Sequence, residues 1–465
     1  MASLTYKQLI SGNRSFRRLL AGQVVSELGN WFNFIAGLGL VRAVTGAAPE
    51  PLAILVVLRL APFALFAPLA GAVADRLSRR TVMIVTDVLR ALLALGFLLV
   101  RGPEDLWIAY VCTFGSTVLA AFFEGAKNAA LANVVGGRGL LAGNALMFSS
   151  RFLLMSVGSA LGGEASAAFG YDVAFVINAL SFLVSAYSIW LIPGREMHAA
   201  EAVSESGDED ARGTNEIGTP AGSDVRAGAG KRAGYLADVL EGWRYVVRHP
   251  LVAAIFGINI MWALGGGGLN LVYERLGAVV FAEAGGLQPD RAVSMLYTAA
   301  GAGLFVGMFL ARRVGAKIEV RGATARFMGW TLIAHGILFA LSGLMPSIWW
   351  CMLMMFLSRA VIGVEFAIQE TLLLRLLPDR LRGRVTSSDR AAEILMMSLT
   401  TAAAGWLLGF ALTPRSLTVV SGLLCGSPGI VWLLLFASGK LRMPERPAGA
   451  DEDDEEGETA LASAN

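Results

Sequence analysis

Cysteine, histidine and charge are all scarce in this sequence. Its three cysteines, Cys112, Cys351 and Cys425, lie inside apolar runs and form no CxxC pair, which leaves no basis for a disulfide framework or a metal site. The three histidines, His198, His249 and His335, are too scattered to supply one. Only 16% of the 465 residues are charged, against about 25% in ordinary soluble domains. A soluble multidomain chain is therefore a poor reading. No H-E-x-x-H, serine elbow or G-x-x-x-x-G-K-[ST] loop occurs, so neither an intramembrane enzyme nor direct use of ATP finds support. No cofactor and no metal are expected. The strict alternation that a membrane β-barrel needs is missing too.

What the sequence has is apolar length. It is 55% hydrophobic with a mean hydropathy of +0.61, and apolar runs of about twenty residues recur along most of it. Twelve such runs can be drawn, at 18–45, 51–74, 81–100, 106–125, 141–168, 172–192, 251–281, 291–311, 326–345, 347–370, 391–412 and 416–438. The expected fold is all-α, a polytopic membrane protein with twelve transmembrane helices in two six-helix bundles.

Basic residues in short loops resist translocation, so their placement sets orientation. With the N-terminus inside, 29 of the 38 Lys and Arg fall in the lead-in, the cytoplasmic loops and the tail. Five, Arg42, Arg101, Arg275, Arg291 and Arg415, fall outside, and Arg59, Arg90, Arg151 and Arg359 fall within spans. Both termini are thus expected in the cytoplasm of a cell (inner or plasma) membrane.

Composition divides the chain further. Residues 1–17 form a cytoplasmic lead-in, 18–193 the first bundle, and 194–232 a Gly-, Ser- and acid-rich linker expected to be disordered. Residues 233–250 place Leu236, Leu240, Trp243 and Val247 at helical spacing, which predicts an amphipathic helix in the interface plane. The second bundle covers 251–438 and an acidic tail 439–465. Spans four and ten each lead into a cytoplasmic connector and a helix that carries Arg151 or Arg390. Such two-fold repetition is a common basis for alternating access.

The sharpest local motif is Gly71-Ala-Val-Ala-Asp75-Arg76-Leu-Ser-Arg79-Arg80, between spans two and three. An Asp flanked by Arg can pair in one conformation and release in another. The stretch resembles the loop signature of the major facilitator superfamily, G-x-x-x-D-R-x-G-R-R, with Ser78 in place of the usual Gly. Resemblance extends to the superfamily's macrolide and enterobactin exporter branch. It is carried by Asn13 to Arg17, Gly22-Gln23, Ser26, Arg59, Pro62, Asp87 with Arg90, Asn144 to Arg151, Asn178, Ser181-Phe182, Glu241 to Pro250 and Leu377 to Val385. Gly158-Ser159-Ala160-Leu161-Gly162-Gly163 is similar to the antiporter signature G-P-x-x-G-G, with Ser159 in place of Pro. Gly158, Gly162 and Gly163 permit close helix approach, with or without an antiport-specific role.

Ionisable groups at membrane depth are costly and usually face the bundle or a water cavity. Glu27 and then Glu365 are the candidates for proton coupling, a permanently paired structural acid being the other reading of each. Arg59, Arg151, Arg359 and Glu393, which opens span eleven, are the remaining intramembrane charges considered. Asn30, one turn from Glu27, stands where the exporter branch often has Asp. Asp87 and Arg90 read as part of the gate with the 71–80 loop. His335 reads as a satisfied polar residue. The glycines at 265–268 either break span seven or pack within it.

The resemblance implies a secondary active transporter, an efflux antiporter exporting amphiphilic or hydrophobic small molecules of drug or siderophore type by alternating access. Its expected partners are a small-molecule substrate, protons and the lipid bilayer, with no nucleic acid, and it is expected to act as a monomer. A lipid or lysolipid translocator on the same fold, and a membrane receptor or scaffold that does not transport, are the alternatives.

Overall fold

The computed structural model describes residues 5–197 and 235–443, apart from the side chains of residues 68, 72, 75, 141, 379 and 235–240. Most of the expected linker, His198 and the tail from residue 444 lie outside the described residues. In lipid a backbone must satisfy its own polar groups, and the long apolar runs do so as helices. Among the described residues, twelve helices are long and apolar enough to cross a membrane. Spans one to three are Arg14–Thr45, Pro49–Arg76 and Arg79–Gly96. Spans four and five share the helical run Leu106–Phe169, and span six is Tyr171–Trp190. Span seven covers Pro250–Gly285 in several helical pieces. Spans eight to twelve are Pro289–Val320, Thr324–Leu344, Ile348–Leu376, Asp379–Phe410 and Pro414–Ala437. Because the number of spans is even, the two ends of the chain share one end of the bundle, called here the terminal end. The turns after spans one and seven belong to the far end.

The two halves pack alike. Span one lies on spans five and six, and span six on span three, while span seven lies on spans eleven and twelve, and span twelve on span nine. Spans two and four pair in the first half as spans eight and ten do in the second. Between halves, span five meets span eight and span two meets span eleven, contacts that the internal two-fold exchanges. Large apolar side chains such as Leu92, Leu180, Leu423 and Leu434 face outward in mid-span, where lipid replaces water as the solvent.

Hydropathy alone places several boundaries too early or too late. Span four runs on past residue 125 to Gly136, where φ 65 and ψ 173 turn the chain into span five. That backbone conformation is open almost only to glycine. Span eleven starts at Asp379 rather than 391, so Glu393 stands well inside it instead of opening it. Residues 194–197, assigned to the linker by composition, form a helical turn. There Met197 is buried and its carbonyl accepts bonds from Arg79 and Asn133. The helix before span seven, Tyr235–Arg248, is held on span eleven by Glu241, which pairs with Arg380 at 3.3 Å and Arg384 at 2.5 Å. Its Trp243 edge meets Phe256.

Glycine sets the spacing of several helix pairs. At 265–268 the backbone stays right-handed helical through Gly267 and Gly268, and a Cβ on Gly267 would lie 2.3 Å from the Met397 carbonyl oxygen. Close packing on span eleven, rather than an unwound segment, accounts for that run. A Cβ on Gly336 of span nine would lie 2.5 Å from the Gly422 carbonyl oxygen of span twelve. Gly336→Val must therefore separate the two helices. We expect it to lower the unfolding midpoint of the purified protein in detergent, at a cost on the order of 2 kcal/mol; an unchanged midpoint would contradict this close approach.

Candidate functional site: a charged central cavity

Between the halves lies a cavity of about 310 Å³. Span one contributes Gln23, Ser26, Glu27 and Asn30, span two Arg59, Leu60 and Phe63, span three Arg90, and span four Ser116 to Glu124. Arg151 of span five and Arg390 of span eleven complete it with Ile394. The two arginines that the sequence repeat places at equivalent positions thus line one cavity. Span eleven, which starts at Asp379, carries both Arg390 and Ile394 within its helix.

Polar contacts along the first-half wall run in sequence. Asn30 Nδ2 donates to Glu27 Oε2 at 3.3 Å, and Asn30 Oδ1 accepts from Arg90 at 3.1 Å. Arg90 is 3.5 Å from Asp87, which is fully buried, and its guanidinium lies over the Phe182 ring at 4.1 Å. Of this pair, read from sequence with the loop, Arg90 reaches the cavity wall while Asp87 is buried beside it. Glu124 pairs with Lys127 at 2.7 Å. Arg59 lies over the Phe34 ring at 4.1 Å, and neither it nor Arg151 has an ion pair among the described residues. Both interact electrostatically with Glu27.

The far end is tied shut across the halves. Arg42 of span one pairs with Glu274 of span seven at 2.9 Å and with Asp290 of span eight. The Tyr171 hydroxyl donates to Asp290 at 3.0 Å. Arg275 pairs with Glu274 and donates to the Ala47 carbonyl at 2.6 Å, and the exposed Arg291 holds Glu164 through two bonds of 2.7 Å. Ser156 donates to the Thr298 carbonyl below this group. These bonds between the two six-helix halves all lie on the far side of the cavity.

Comparison with known proteins agrees with this architecture. The Major Facilitator Superfamily pattern matches residues 19–388. The chain belongs to the Major Facilitator Superfamily. A Bacillus subtilis (strain 168) protein, the uncharacterized MFS-type transporter YfiS, is 29% identical over 191 residues, which are 40% of this chain and 44% of that relative. The match thus spans less than half of that relative's length. Among solved structures, the POT family transporter PepTSo superposes with a TM-score of 0.64 at 12% identity, over 92% of this chain and 98% of its own. A bacterial homologue of the iron transporter ferroportin, in an inward-facing state, gives 0.62 at 14%, over 90% and 98%. A bacterial homologue of the human lysosomal transporter Spinster gives 0.67 at 13%, over 93% and 98%. At these identities the structures share the fold. Superfamily membership and twelve spans among the described residues make the chain a multi-pass membrane protein.

The superfamily loop signature falls at the terminal end. Gly71 is exposed inside the span-two helix, with open space where a Cβ would sit, and Arg76 is exposed. Arg79 donates to the Ala129 carbonyl within span four and to the Met197 carbonyl, and Arg80 to the Trp190 carbonyl, so each serves one helix C-terminus. The side chain of Asp75 is outside the described residues. In the exporter-like stretch, Gly158 and Gly162 close on Trp31 and Phe32 of span one, while Gly163 closes on Ser294 of span eight, across the halves.

Second-half charges lie apart from the first-half wall. Glu365 is fully buried, and neither carboxylate oxygen has a hydrogen-bond partner. The buried Arg359 donates from Nε to the Tyr273 hydroxyl at 2.7 Å. His335 meets the Ser358 hydroxyl at 2.7 Å through Nδ1, leaving Nε2 unpartnered. Glu393 pairs with Arg390 at 2.8 Å. Sequence reasoning missed a polar chain nearby. Gln369 donates to Asn259 at 2.5 Å, and Asn259 donates to the buried Asp389 at 2.7 Å. The signal available was Asp389 itself, an acid beside Arg390, hidden because the apolar run starts only at 391.

The latch leads to a graded expectation. Asp290→Asn leaves Arg42 and Arg275 to share the single carboxylate of Glu274, so the far end should open, with a loss of the closed state on the order of 3 kcal/mol. The exposed Glu164→Gln should change it little. Spin-label distances across the far ends of spans five and eight measure both; equal effects would contradict the ranking.

Proposed function

We propose that this chain is a secondary active transporter that moves an amphiphilic small molecule by alternating access, with Glu27 coupling transport to protons. The position of Glu27 carries the reading. Its carboxylate stands in the cavity wall, held by the Asn30 amide, and acts on two guanidiniums that lack an ion pair. Adding a proton there changes the charge of the cavity, and so biases which conformation holds substrate best. The mixed lining, guanidiniums and amides beside Leu60, Phe63 and Phe123, favours an amphiphile over a wholly apolar molecule.

The distribution of basic residues supports a cytoplasmic terminal end. The latch of Arg42, Glu274 and Asp290 then closes the outer side, and the cavity belongs to an inward-facing state. In the alternate state the loop at 71–80 would close the terminal end, and the open space at Gly71 is room for that approach. Resemblance to the macrolide and enterobactin exporters supports export of a drug-like or siderophore-like molecule. One chain supplies both walls of the cavity, which supports a working monomer.

Flux in proteoliposomes across a compound panel, with and without a pH gradient, tests the coupling. Wild-type flux should respond to the gradient, and Glu27→Gln should transport without responding to it. A wild-type flux indifferent to the gradient would overturn the role of Glu27.

A further inference from the structure

Charge is distributed unevenly around the central cavity. Arg390, on the second-half wall, is taken up by its own half: it pairs with Glu393 at 2.8 Å and interacts electrostatically with Asp389 and Glu370. On the first-half wall four cations, Arg59, Arg90, Lys127 and Arg151, meet three carboxylates, Glu27, Asp87 and Glu124. Asp87 is committed to Arg90, and Glu124 to Lys127. Arg151 interacts electrostatically with Glu124 and Glu27, and Arg59 with Glu27, but neither arginine has an ion pair among the described residues. On this wall cations outnumber carboxylates by one while Glu27 is ionised and by two when it carries a proton, whereas the acids Glu393, Asp389 and Glu370 gather about Arg390 on the opposite wall. Arg59 is half-buried and Arg151 faces the open cavity, so both are placed to take an anion that enters it.

Their surroundings say what the anion is attached to. The Arg59 guanidinium lies over the Phe34 and Trp31 rings, and Leu60, Phe63 and Phe123 form an apolar wall next to it. We infer that the transported molecule bears an anionic head group, a carboxylate or phosphate, bound between Arg59 and Arg151, with an apolar body against that wall. Guanidinium suits both anions because its planar fork matches their paired oxygens. The inference rests on the transport reading above and deepens it by fixing the sign of the substrate's charge.

That sign fixes the coupling. Ionised Glu27 competes with the substrate anion for the two arginines; protonated Glu27 does not. Proton and anion therefore favour the same loaded cavity, and each raises the affinity for the other. Exchange of one for the other, which the exporter resemblance implies, would need the opposite sign, as when a cationic substrate and a proton contend for one carboxylate.

The full-length protein tests this with four probes that share one ring system: naphthylacetate, naphthyl phosphate, naphthylacetamide and naphthylethylammonium. Binding is measured by calorimetry in detergent, and flux in proteoliposomes. At least one anion should bind about tenfold tighter than the amide, and the ammonium should bind most weakly. Which anion is preferred distinguishes carboxylate from phosphate substrates. Arg59→Gln and Arg151→Gln should each abolish the preference for the anion while leaving amide binding intact, and Arg59→Lys should restore part of it. Glu27→Gln should tighten the anion several-fold, whereas a cation site would be weakened by the same change. Tighter binding of the amide or the ammonium, or weaker anion binding by Glu27→Gln, overturns the inference. Flux of the amide or ammonium without flux of either anion also overturns it, and leaves the transport reading standing. A protein with an intact unfolding transition that binds and moves none of the four overturns both.

Discussion

A charge within a bilayer has to be answered inside the protein, and here much of the answer passes through one amide, Asn30. It donates to Glu27 and accepts from Arg90, so an acid of span one and a base of span three are joined without meeting. A direct pair would neutralise both. The bridge holds Glu27 in place with its charge still available to the cavity. An aspartate at this position could accept from Arg90, but it would repel Glu27. The amide, where the exporter branch often has the acid, thus keeps a second carboxylate from standing beside Glu27.

The far-end latch and the cavity divide the remaining charges between two tasks. Arg42, Arg275 and Arg291 bind partners in the opposite half and hold one end closed. Buried pairs of this kind add little net stability, because desolvation offsets much of their attraction, yet they discriminate strongly between arrangements that satisfy them and those that do not. Around the cavity the balance is left incomplete, so a ligand can complete it. The latch specifies a conformation, and the cavity responds to what enters it.

Much of the fold was legible because lipid tolerates so few side chains. Twelve apolar runs correspond to the twelve helices, and charges as rare as Glu27, Arg59, Arg90 and Arg151 stood out against them. The misplacements share a cause. Hydropathy ends a span where charge begins, while the helix continues. Glu124 and Lys127 were assigned to the edge of span four or to its loop, yet the helix carries them onward past the cavity wall. Asp389 and Arg390 were cut from span eleven in the same way. Glu274 and Asp290 needed the third dimension, since their partner Arg42 lies more than two hundred residues earlier in the chain. Arg42, Arg275 and Arg291 could be counted from sequence for orientation, but counting does not show that they meet acids of the other half.

The open space beside Gly71 bears on how mutational data for such a protein should be weighed. A larger side chain there meets nothing in this conformation, so a survey of thermal stability on protein held in this state scores the position as neutral. A survey of turnover samples every conformation in the cycle and need not agree. Positions where the two surveys part identify surfaces that touch only in passing, and a single static structure shows those surfaces as vacancies.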